Sequence, residues 1–125
     1  MMYYLIKNYS LDDLCIICVD KRVLDLKDTV VTDCNAACEL AALDSPEKGI
    51  KFIDFKRVFA KYWTSNNPFE QFDNKSIQCA EVLVLNEIPI DYLVGVYVCS
   101  ATAEERIKQL NLNIKVKICK KLFFQ

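Results

Sequence analysis

Histidine is absent from this 125-residue chain. That absence removes Ser-His-Asp and Cys-His nucleophile systems, histidine-based metalloenzymes and the commonest general base. Glycine occurs only at Gly49 and Gly95, so there is neither a P-loop nor a dinucleotide fingerprint. No apolar run approaches the ~18 residues of a membrane span. The opening Met1-Met2-Tyr3-Tyr4-Leu5-Ile6 lacks both the cationic lead and the long apolar stretch of a signal peptide, so the chain reads as cytoplasmic. A net charge of −1 argues against a strongly basic nucleic-acid clamp but leaves room for a local basic face.

What is present fits one domain over residues 1–125, with 53% hydrophobic residues to build its core. Seven cysteines raise a metal or redox reading. Cys15-x2-Cys18 and Cys34-x3-Cys38 come close to the spacing of a four-thiolate zinc site. However, Cys15 and Cys18 lie in Leu14-Cys15-Ile16-Ile17-Cys18-Val19, which reads as a buried strand, where residues three apart face opposite ways. Core packing is the ordinary use of such cysteines, and no metal is assigned. The odd count fits a reducing compartment.

Mixed strands and helices without a βαβ rhythm point to an α+β fold. Met2–Asn8 reads as a helix end or a strand. Strands are expected at Leu14–Val19, Thr29–Thr32, Gly95–Cys99 and Ile114–Ile118, with short helices at Cys34–Leu43 and Thr102–Leu110. Ser45–Gly49 reads as a loop. The clearest helix is Asp54–Trp63, where Phe55, Val58, Phe59 and Tyr62 form an apolar stripe. Lys56, Arg57 and Lys61 lie off that stripe, as on a solvated face. Thr64–Ser76 reads as a long polar loop holding Phe69 and Phe72, which either pin it down or offer stacking surfaces.

Glu81 stands out. It interrupts the strand-like run Cys79-Ala80-Glu81-Val82-Leu83-Val84-Leu85, on the same face as Leu83 and Leu85. A carboxylate among buried aliphatics costs several kcal/mol unless paired, hydrogen-bonded or open to a cleft, which makes it a functional candidate. The bland alternative is a strand start that touches water.

Ala80-Glu81-Val82-Leu83-Val84, Ile88-Pro89-Ile90-Asp91-Tyr92-Leu93 and Gly95-Val96-Tyr97-Val98 together resemble the C-terminal half of DarT-type DNA ADP-ribosyltransferase toxins. Asp13-Leu14-Cys15-Ile16-Ile17, Thr32-Asp33-Cys34-Asn35-Ala36-Ala37, Phe52-Ile53-Asp54-Phe55 with Trp63, and Leu122-Phe123-Phe124 resemble further family segments in the same order. The resemblance implies an ADP-ribosyltransferase-like core of mixed, mostly antiparallel sheet with flanking helices. It also implies NAD as co-substrate, a base in single-stranded DNA as target, and a macrodomain-type antitoxin as partner. Glu81 matches the family's catalytic Glu. The segment 64–76 falls at the family's substrate-recognition loop, and its residue types suggest roles: Asn66 and Asn67 on a base edge, Phe69 or Phe72 stacked on it, and Lys75 at a phosphate. Family members carry a His that binds NAD and an Arg important to catalysis before a Met-Leu-Tyr-like segment that Met1-Met2-Tyr3-Tyr4 resembles. The expectation is therefore an N-terminally truncated member: a fragment, a decayed reading frame or one piece of a split enzyme. The alternatives are a non-enzymatic module binding nucleic acid or protein on the same fold, or a small zinc domain.

Overall fold

The computed structural model describes residues 2–124; Met1, at the head of the Met1–Tyr4 segment, and Gln125 lie outside the described residues. In chain order the elements are α1 (Met2–Asn8), β1 (Cys15–Val19), β2 (Val30–Thr32), β3 (Leu43–Asp44), α2 (Pro46–Gly49), α3 (Phe55–Val58), α4 (Pro68–Ile77), β4 (Val82–Leu83), β5 (Leu93–Val98), α5 (Ala101–Gln109) and β6 (Val116–Ile118), joined by short 3-10 turns. They form two compact units. One runs up to Lys21 and resumes at Pro89; the other is Arg22–Ile88.

The first unit holds a three-stranded sheet in the order β1-β5-β6, antiparallel between β1 and β5 and parallel between β5 and β6. Val96 and Val98 of β5 are buried against Ala103 of α5, with Ile107, Ile114 and Val116 packed around them. Local chemistry starts and stops α5. The Ser100 hydroxyl accepts from Ala103 N at 3.1 Å as N-cap, and Glu104 pairs with Lys108 at 2.8 Å one turn later. Asn111 then takes a left-handed φ of 53°, which an Asn tolerates just past a helix end.

The second unit holds the antiparallel sheet β3-β2-β4. Val31 and Thr32, in β2, are fully buried. α2 lies against this sheet because Gly49 has no side chain: an added Cβ would stand 2.8 Å from Val31 Cβ and 3.2 Å from Asp44 O.

The α+β class and the mostly antiparallel pairing agree with the sequence reading, and several boundaries differ. Ser45–Gly49 is not all loop, since Pro46 at the first helical position opens α2. Residues 34–42 form turns instead of a helix, because the Asn35 carboxamide accepts from Ala37 N at 2.9 Å and competes with helical bonding. The stripe over Asp54–Trp63 yields only the four residues of α3. Phe59 and Tyr62 are exposed, and an apolar stripe with nothing to pack against does not propagate a helix. The strand at Cys15–Val19 is not buried throughout: Cys15, Ile17 and Val19 are exposed on a sheet edge.

Gly49→Ala is expected to lower stability by about 1–3 kcal/mol through the forced overlap with β2. Gly95→Ala, whose nearest contact would be 3.4 Å, should stay within about 0.5 kcal/mol of the parent in urea unfolding.

Candidate active site

Glu81 occupies the last position before β4, where strand pairing with β2 begins. Its carboxylate is exposed, so the water-touching strand start is what the fold builds, and the aliphatic surroundings expected of a seven-residue strand are not. β4 keeps only two residues because the preceding chain still bonds back into α4: Cys79 N donates to Ser76 O and Ala80 N to Ile77 O.

The backbone of Glu81 is locked to Thr32. Thr32 N donates to Glu81 O at 2.9 Å, and Glu81 N donates to the Thr32 hydroxyl at 3.1 Å. The same hydroxyl, fully buried, donates to Cys34 O at 2.6 Å. The turn that follows then reaches the Glu81 side chain: Ala36 N donates to Glu81 Oε1 at 2.9 Å. No hydrogen bond engages the second carboxylate oxygen among the described residues. The result is an acceptor of fixed orientation with one free oxygen facing solvent. Asn35 N donates to Ser76 O at 3.0 Å, which fastens this turn to the last turn of α4. Sequence reasoning took Thr32-Asp33-Cys34-Asn35-Ala36-Ala37 only as a family likeness; in the structure it supplies Glu81 with one hydroxyl and one backbone N–H.

Beneath the turn, burial pushes the Cys34 thiol above its ordinary pKa. A hydrogen bond with Ser76 works the other way, and the nearby Asp33 raises it further.

The proposed nucleic-acid residues divide. Thr64–Ser76 is not a loop throughout, because Asn67 caps α4 and Pro68 opens it. Asn67 Oδ1 accepts from Phe69 N at 3.0 Å, so that oxygen is already engaged by the cap, while Asn66 is exposed ahead of the helix. Phe69 and Phe72 stand three residues apart on α4, 86% and 71% exposed, and are presented instead of pinned. Lys75 Nζ lies 6.0 Å from the Trp63 ring centroid. Arg57 does not lie on a free face: it pairs with Asp73 at 2.8 Å and donates to Asn74 Oδ1, joining α3 to α4. Among the described residues no group of three or more His, Cys, Asp or Glu is gathered as a metal site. No helix among them is long and apolar enough to cross a membrane.

The α+β fold is that of DarT-type ADP-ribosyltransferase structures. Thermosipho africanus DarTG in complex with ADP-ribose superposes over 99% of the chain and 33% of its own, with TM-score 0.82 and 25% identity. Thermus sp. 2.9 DarT in complex with NAD+ matches 76% of the chain and 48% of its own, with TM-score 0.65 and 22% identity. The same Thermus protein in complex with ADP-ribosylated ssDNA gives 76%, 46%, 0.65 and 22%. No curated protein sequence matches. The family model described as ssDNA thymidine ADP-ribosyltransferase, DarT, matches residues 1–124, and the chain belongs to that family. It spans between a third and a half of the solved chains it resembles.

Thr32→Val keeps the shape but strands Glu81 N–H and Cys34 C=O without their hydroxyl partner. It should cost about 1–3 kcal/mol, whereas Thr32→Ser should recover most of that in the same urea titration. A folded-state thiol pKa above the unfolded value means that stability is full below the unfolded thiol pKa and falls as pH rises through the folded one. The denaturation midpoint is therefore expected to drop above about pH 8.5, and Cys34→Ala should remove part of that slope.

Proposed function

We propose that this chain carries the catalytic carboxylate of an NAD-dependent ADP-ribosyltransferase acting on a thymidine base in single-stranded DNA. The observation that carries the reading is the Glu81 carboxylate, fixed by Ala36 N–H on one oxygen and open on the other. Breaking the nicotinamide–ribose bond builds positive charge on the sugar, as in glycoside cleavage. A preoriented carboxylate that accepts from a ribose hydroxyl beside that carbon stabilises the charge as it forms and binds the ground state less strongly. Because the Thr32 lock holds Glu81 before substrate arrives, little reorganisation is left for the reaction itself. NAD is the co-substrate in this reading, supported by the family description and by the relative in complex with NAD+.

The DNA strand is assigned to the Phe69–Phe72 face of α4. Bases stack on the two rings, Asn66 lies at the approach, and Lys75 meets a phosphate. In this reading Asn67 acts chiefly as the helix cap, with only its amide nitrogen left for a base. The role extends to that of a toxin whose modification a macrodomain-type antitoxin reverses, by likeness to the family. A second reading, a non-enzymatic nucleic-acid module, is favoured by the two exposed phenylalanines, which bind a strand whether or not Glu81 reacts.

The chain, alone and with the family's His- and Arg-bearing N-terminal segment fused ahead of it, is incubated with NAD and thymidine-containing single-stranded oligonucleotides, and the oligonucleotide mass is read. One ADP-ribose added to the strand is expected with the fused form, with Glu81→Gln slower by about 10²–10³-fold. Strand binding with no mass gain in either form selects the second reading, and undiminished activity of Glu81→Gln rejects the assignment.

A further inference from the structure

Phe55, the first residue of α3, and Phe59, just past its end, form a parallel pair, their ring centroids 6.3 Å apart and their planes inclined by 9°. They are 49% and 79% exposed. Arg57, two positions from each, points at α4 through its bonds to Asp73 and Asn74. Among the described residues neither ring is paired with Phe69 or Phe72 of α4. The pair is a separate aromatic surface.

Its electrostatic setting is cationic. Between Lys48 and Lys61 the chain has five cations, Lys48, Lys51, Lys56, Arg57 and Lys61, against one acid, Asp54. Asp54 Oδ1 is already occupied by the N–H groups of Lys56 and Arg57. Lys51, Lys56 and Lys61 are exposed and have no carboxylate partner among the described residues. Lys61 Nζ sits 5.2 Å from the ring centroid of the exposed Tyr62. Unpaired ammonium groups a few residues along the chain from exposed aromatic rings suit a polyanion that carries its own flat rings. A single strand of nucleic acid has both, whereas a duplex hides its base faces.

We propose that the Phe55–Phe59 pair is a second stacking platform for single-stranded nucleic acid, with Lys51, Lys56 and Lys61 meeting its phosphates. It rests on the nucleic-acid reading above and extends the bound strand beyond the bases held by α4.

Fluorescence anisotropy with labelled oligothymidylate of about twelve nucleotides, within the site sizes typical of single-strand binders, tests it. F55A/F59A should weaken binding by about 5- to 100-fold, and F69A/F72A should do so independently. All four side chains are partly or largely exposed, and circular dichroism melting should show both variants folded like the parent. Unchanged binding in F55A/F59A with loss in F69A/F72A overturns the second platform and leaves the nucleic-acid reading standing. No binding by the parent chain removes that reading, and the platform with it. If sedimentation shows F55A/F59A turning a dimer into a monomer while strand affinity holds, the rings join two copies of the chain and the inference fails.

Discussion

One buried hydroxyl organises the second unit. Thr32 Oγ1 accepts from Glu81 N and donates to Cys34 O, and its own backbone N–H bonds Glu81 O. Residues 49 positions apart are thereby held at hydrogen-bond distance. A fully buried hydroxyl survives only when its bonding capacity is used, and here both of its functions are. The turn beyond Thr32 inherits its position from the same contact, so Ala36 N–H arrives where the Glu81 side chain needs a donor. The strand pair β2–β4 alone, two residue pairs long, would hold this far less firmly.

The rest of the molecule spends little on burial. Among the described residues seven apolar ones are buried, Phe123, Val98 and Val31 most completely, while Phe59, Phe69 and Phe72 stand in solvent. Single exposed apolar residues are ordinary, and here exposed aromatic side chains gather on and beside α3 and α4. α3 and α4 are joined through Arg57, an exposed ion pair reinforced by two bonds to Asn74. An ion pair at a surface contributes at most about 1 kcal/mol by itself. Its value here is geometric, since it fixes two ring-bearing helices that have little core to hold them.

The sequence carried the class of fold, the strands β1, β2, β5 and β6 and the helix α5, because alternation and capping residues are local signals. It singled out Glu81 as a candidate through family likeness, whereas the aliphatic surroundings that made its place look odd are not built, since Glu81 is exposed ahead of β4. Three things were not legible. The stripe Phe55-Val58-Phe59-Tyr62 was periodic but had no partner surface, and periodicity cannot report whether a partner exists. Asn67-Pro68 was read as loop chemistry, although the same two residues are also a helix start. The short reach of β4 depends on how α4 ends and on Thr32, a contact with no counterpart in the local pattern around Glu81.

In the proposed reading, the helix that meets the strand and the carboxylate that acts on NAD are close along the backbone. α4 ends at Ile77, Gln78 caps it by donating to Asn74 O, Cys79 and Ala80 continue the back-bonding, and Glu81 follows at once. Asn35 N meets Ser76 O from the other side. On that proposal, a tilt of α4 would reach the carboxylate through only three intervening residues, all hydrogen-bonded back into the helix.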